Sequence, residues 1–323
     1  MAFFVSCTSN PLDVDVSDIE ANVQVERFDR DFYSCSKAIS FSSVAPLVEK
    51  YSGFFDAYNA YVISCGSYSD LAYYDCLKVF FSDYSVVMAY DAVEKEFENC
   101  DDVQETINDG FRHLLYYYPE EKLPRVVTFI AGFNQSIVLM DGYVGVGLEK
   151  YLGTECPLYD MLQVPDFAKA EMQRKRIPID IMAEWFRDRY PYDPETENLA
   201  NKMIYNGMQL YFLEAMFPNM TEADRLTYTE DDLRYCDYYE SEIWTSLVEN
   251  EYLFTTDSFE IKKFTENAPF TSQFGADCPA RVVNWIGLQI VKSYVKNNNV
   301  KLLDLLSETN YQKILNMSEY SPR

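Results

Sequence analysis

The sequence predicts an α+β fold, a mostly helical domain carrying a small antiparallel meander. Apolar residues recur at helical spacing on both sides of the chain's middle, and three β-type runs between residues 125 and 148 are separated by glycine-bearing turns. With 48% apolar residues, the 323-residue chain can bury a sizeable core. The 27 tyrosines and 22 phenylalanines predict that this core is aromatic, with amphipathic rings at its edge. No apolar run reaches the ~18 residues that a membrane-crossing helix needs. The charge balance, 27 Lys and Arg against 52 Asp and Glu, gives a net −25 that repels nucleic-acid phosphates and excludes nucleic acid as a partner.

Taken in order, Met1-Ala-Phe-Phe-Val-Ser-Cys7 reads as the end of a lipoprotein signal with Cys7 as the lipidated residue. The Asp-rich segment 8–22 lacks any period and reads as a flexible tether, so 1–22 are set apart from a single domain over 23–323. A short strand starts at Val23, and 44–118 read as mostly helical, with Val86, Val87 and Tyr90 at helical spacing. His113, the chain's single histidine, is flanked by apolar residues and reads as a core or edge histidine rather than a ligand. The runs 125–131, 135–140 and 143–148, with turns at Gly132-Phe133-Asn134 and Asp141-Gly142, make the meander. Gly142, Gly145 and Gly147 are not a phosphate loop, because no Gly-Lys-Ser/Thr follows.

Two helices are expected at 179–190 and 198–217, the second opened by Pro194 and ended by Pro218. Leu199, Met203, Asn206, Leu210, Leu213 and Phe217 share one face of the second, so the Asn206 amide needs partners inside an apolar stripe. Gly207 beside it weakens the helix and marks a close approach to the backbone. On the first helix Asp180 and Glu184 stand one turn apart, the spacing at which H-E-x-x-H presents two zinc ligands, although Arg187 can pair with Glu184 on a solvated face. Thr229 and Asp232 form a capping box before a helix whose apolar face, Leu233, Cys236, Ile243 and Leu247, is interrupted by Glu240. A mutual hydrogen bond between Asn206 and Glu240 would account for both interruptions. The last long helix is expected from about 277 on, with shorter pieces at 300–306 and 311–317. The eight cysteines show no C-x-x-C pair; Cys65 with Cys76 or with Cys100 is the first pairing to check.

Several segments resemble the GldB family, lipoproteins associated with gliding motility in Bacteroidetes. They include Glu26-Arg27-Phe28-Asp29, Thr128-Phe129-Ile130, Gly147-Leu148-Glu149-Lys150-Tyr151-Leu152-Gly153 and Met203-Ile204-Tyr205-Asn206-Gly207. Cys236 with Glu240 and Trp244, Ala268-Pro269-Phe270-Thr271, Trp285-Ile286-Gly287 and the closing 318–322 belong to the same pattern. The resemblance implies a protein lipid-anchored in the cell envelope and facing the periplasm. It would bind envelope proteins of a gliding or secretion-associated apparatus and touch the membrane only through its anchor. That family is in turn similar, remotely, to zincin peptidases, which implies a degenerate zincin-like core. Where zinc-binding histidines would stand, this chain has Asp180-Ile-Met-Ala-Glu184, and it has Asn206-Gly207 where a third ligand would follow. The implied protein is therefore a pseudoenzyme without metal, cofactor or catalytic residues, whose candidate cleft holds Asp180, Glu184, Asn206 and Glu240. The alternative is a hydrolase using those carboxylates with a hard divalent ion.

Overall fold

The structure, a computed structural model, describes residues 10–322. Its mostly helical chain divides into two compact units. The sheet unit takes Ala21–Phe111 and Glu120–Glu184; the helical unit takes 10–20, Arg112–Pro119 and 185–322.

In the sheet unit, β1 (Val25–Glu26) leads into α1 (Phe28–Ser34), α2 (Phe41–Ala57), α3 (Leu71–Ser82), α4 (Tyr84–Glu96) and α5 (Asp101–Tyr117). Strands β2 (Arg125–Phe129), β3 (Ile137–Met140) and β4 (Tyr143–Gly147) come next. Short helices α6 (Pro157–Met161) and α7 (Asp166–Lys169) then lead to α8 (Ile177–Arg189). Both α5 and α8 run past the unit's boundaries. The aromatic core expected from composition is present: Phe28 lies among Phe32, Tyr51, Phe54 and Tyr58, with ring centroids 4.9–5.3 Å apart. Such pairs add ~0.5–1.5 kcal/mol each beyond the burial of their area.

The sheet corrects the expected antiparallel meander. Among the described residues its order is β1-β2-β4-β3, with β2 parallel to both β1 and β4, and only β3 and β4 antiparallel. The reason lies in the connection after β2, which carries the chain past the place that β4 will fill. Gly132 (φ 67°) and Phe133 (φ 70°) turn it there. The buried Glu149 carboxyl group fixes that turn, its Oε1 accepting from the N–H groups of Ala131 (2.5 Å) and Phe133 (3.2 Å). The Asp141-Gly142 turn (Gly142 φ 74°) then brings β4 back between β2 and β3. Packing accounts for the glycines of β4: a Cβ on Gly145 would lie 2.9 Å from the Phe129 ring, and one on Gly147 would overlap the Gln135 backbone.

Cysteines 65 and 76, one of the two pairs the sequence singled out for checking, form a disulfide, and Cys100 is a free thiol.

The helical unit contains α9 (Leu199–Met216), α10 (Glu222–Leu226), α11 (Glu230–Glu249), α12 (Ser258–Thr265), α13 (Val282–Asn298), α14 (Leu302–Leu306) and α15 (Tyr311–Ser318). Asn198 caps α9, its side chain accepting from the Asn201 N–H at 2.9 Å. Pro194 opens only the 3₁₀ turn Pro194–Thr196, because Asp193 caps Glu195 and the chain extends again at Glu197. The capping box of α11 is as expected, with Asp232 N–H donating to Thr229 Oγ1 (3.1 Å) and Thr229 N–H to Asp232 Oδ2 (2.8 Å). Helix α13 starts at Val282, later than the sequence pattern suggests, after Arg281 takes a left-handed turn (φ 59°).

Cys7, the expected lipidation site, lies outside the described residues. The segment expected to be a flexible tether departs from that expectation from residue 10 on. Leu12 is only 6% exposed, its N–H donates to Asn10 Oδ1 (3.0 Å), and Asn10 Nδ2 donates to Glu214 Oε1 (3.4 Å). At the start of the sheet unit, the Val23 N–H donates to Asn108 Oδ1 at 2.8 Å.

Candidate functional site

Asp180 stands in the first turn of α8, held from two sides. Arg176 Nη2 donates to Oδ1 at 2.8 Å and the Tyr151 hydroxyl to Oδ2 at 3.0 Å, leaving the carboxylate 26% exposed. Burial raises the Asp180 carboxyl above its ordinary value, against the opposing pull of the Arg176 charge and the Tyr151 hydrogen bond. Burial and the neighbouring carboxylate push the Tyr151 hydroxyl far up, so it remains a donor. Glu184, half-buried, follows one turn later. The nearby open cleft, ≈ 420 Å³, is lined instead by residues such as Gly153, Thr154, Glu155, Arg174 and Lys175. Its Arg174 is tied to the Asp102 carboxylate and to the carbonyls of Glu96 (2.7 Å) and Asn99 (2.8 Å).

Asn206 and Glu240 belong to the helical unit, and Asp180 and Glu184 to the sheet unit. The mutual hydrogen bond expected between Asn206 and Glu240 is replaced by two others. Asn206 Nδ2 donates to Asn284 Oδ1 at 2.9 Å, and Asn284 Nδ2 donates to the Thr265 carbonyl at 3.1 Å. The approach marked by Gly207 is that of α13: a Cβ at Gly207 would overlap the Gly287 carbonyl group, and one at Gly287 would overlap the Met203 carbonyl. Glu240 accepts from the Tyr320 hydroxyl at 2.7 Å, and Trp244 meets the Tyr320 ring edge-on at 5.1 Å. The C-terminal segment is thus clamped to α11. Tyr205 and Tyr211, on α9 beside Asn206, are buried.

The other segments that suggested a family also have structural roles. Glu26 takes both Nε and Nη2 of Arg125 (2.7 and 2.6 Å), and Arg27 makes the same double contact with buried Asp29 (2.9 and 2.7 Å). Thr128 donates its hydroxyl to Asp29. Two groups escaped sequence reasoning. Glu149, quoted in the sequence only as part of the 147–153 segment, is a fully buried carboxyl pushed up to about 7 by burial. Lys202 lies over the rings of Tyr205 (5.6 Å), one turn along α9, and of Tyr192 (4.4 Å), which no local pattern announces. Among the described residues no three His, Cys, Asp or Glu side chains gather as metal ligands would, and His113 is buried.

No curated protein matches the chain, and no solved structure does. One family does match, described as the gliding motility protein GldB, and it does so over residues 9–322, through both units and through every segment just described. The chain therefore belongs to the family of the gliding motility protein GldB.

Proposed function

We propose that this protein is a non-catalytic, lipid-anchored component of the cell envelope, held through Cys7, facing the periplasm and binding proteins of a gliding or secretion-associated apparatus. The folded chain from residue 10 on acts as the binding component, and its four cleft positions do no chemistry. The observation that carries this reading is the engagement of three of the four expected cleft residues, Asp180, Asn206 and Glu240. Asp180 is held by Arg176 and Tyr151, Asn206 by Asn284, and Glu240 by Tyr320. A general acid, base or metal ligand needs an oxygen directed at a substrate, and these are directed at the fold. The Cys65–Cys76 disulfide supports an oxidising compartment. For binding, the helical unit exposes the rings of Tyr238 (77% exposed), Phe254 and Phe259, the last with Lys263 Nζ 4.4 Å over it.

The test is rescue of motility in a gliding species lacking its own copy. A variant with Asp180→Asn, Glu184→Gln and Glu240→Gln keeps the shapes and removes the charges; it should restore gliding, whereas Cys7→Ser should not. A triple variant that unfolds at the wild-type temperature yet restores nothing would mean that the carboxylates do chemistry. Replacing Tyr238, Phe254 and Phe259 by serine should abolish partner binding while stability stays within ~1 kcal/mol.

A further inference from the structure

We infer that residues 10–12 seat the helical unit directly on the bilayer surface, an inference that rests on the lipid anchor at Cys7 proposed above. The argument is one of length. If 8–22 were a free tether, fifteen residues would give the body a root-mean-square reach of ~22 Å and far more when extended. Instead the chain is fixed at Asn10. From Cys7 to Asn10 it can span at most ~11 Å.

The fixing point is built from several elements. Asn10 Nδ2 donates to Glu214 Oε1 (3.4 Å), near the end of α9, while buried Leu12 and the bond from its N–H to Asn10 Oδ1 hold the segment in one conformation. Glu214 is itself held by Lys292 of α13 (3.1 Å) and Arg225 of α10 (3.6 Å), and Lys292 also binds Glu222 (2.8 Å). The pin therefore stands on a base that joins α9, α10 and α13. A diacyl group in the membrane at residue 7 leaves this base no position except beside the headgroups. Charge does not supply the attraction: Asp13, Asp15 and Asp18 follow at once, and they repel anionic lipid. The covalent anchor and the short span do the seating. A partner of the helical unit must accordingly be met at the membrane surface.

Hydrogen exchange tests this on protein carrying a diacyl group at residue 7. The lipid is either added by the cell or introduced by ligating a lipid-bearing N-terminal peptide. The protein is bound to phosphatidylethanolamine–phosphatidylglycerol vesicles and compared with the unlipidated chain, which should not bind them. We expect exchange at 10–20 and 217–222 to slow several-fold on the vesicles. The protection at 217–222 should vanish in N10A/L12A, and also in a chain with ~20 Gly and Ser residues inserted between Ser9 and Asn10, both still vesicle-bound. If the lipidated wild type exchanges at 217–222 as fast as the insertion variant, the seat is wrong even though the anchor is right. An unmodified Cys7 in mass spectra of the native protein would instead remove the anchor, and with it the seat in the cell, whatever the ligated protein does.

Discussion

Glu149 has its side chain fully buried, with Oε1 accepting from two backbone N–H groups and Oε2 without a partner. Burial pushes its carboxyl up to about 7 from an ordinary value near 4.5, so the folded chain keeps this proton at a pH where the unfolded chain has lost it. A raised acid stabilises the fold fully below the unfolded value, and that contribution is lost as pH rises through the window from about 4.5 to 7. The loss is on the order of 3 kcal/mol. Glu149→Gln, which still offers an oxygen to Ala131 and Phe133, should be free of this loss. Urea unfolding from pH 4.5 to 8 should show wild type losing about 3 kcal/mol relative to the variant. A difference that stays constant with pH would mean that Glu149 is ionised throughout. Tyr320→Phe removes a single hydroxyl from Glu240 and should cost about 1 kcal/mol, read from the same unfolding curves. Glu240 was visible in the sequence as a polar interruption of an apolar face. Its partner was not, because Tyr320 and Glu240 are eighty residues apart.

The crossing of α9 with α13 is an element-scale feature set by the absence of two side chains. Helix propensity alone says that Gly207→Ala should stabilise by ~1 kcal/mol. The overlap of the new Cβ with the Gly287 backbone cannot be relieved by a side-chain rotation, and overpacking of this kind costs ~1–3 kcal/mol or more. The second effect wins, so Gly207→Ala should be destabilising by about 2 kcal/mol, and Gly287→Ala likewise. Gly53 in α2 is the control. Nothing lies within 4 Å of its Cβ position, so Gly53→Ala should be neutral or stabilising. If all three variants unfold alike, the helices separate at no cost and the crossing is not tight. The sequence marked Gly207 as a point of approach; only packing identified Gly287 as what approaches.

At the scale of the molecule, the disulfide and the sheet order limit what the chain can become when unfolded and when folded. Cys65 and Cys76 close a loop with a sequence separation of 11, worth about 3 kcal/mol through the unfolded state. Reduction, or the double change Cys65→Ser and Cys76→Ser, should lower the unfolding free energy by about that amount. Thiol titration of the folded, oxidised protein should leave buried Cys35, Cys156, Cys236 and Cys278 unlabelled until it unfolds. Early labelling of these four would show that the cores open locally.

What the sequence determined by itself is what neighbouring residues encode. The helical periods, the Asn198 cap, the Thr229 box, the Asp141-Gly142 turn, the aromatic core and the family membership are all of this kind. What only the tertiary structure decided is which distant partner satisfies each polar group and which strand lies beside which. A β-run carries its alternation but not its neighbour, and the parallel pairing of β2 with β4 depends on a turn fixed by a carboxyl group sixteen to eighteen residues away. Likewise Asn206 announced that it needed a partner, and only the approach of two helices at Gly207 and Gly287 made that partner Asn284.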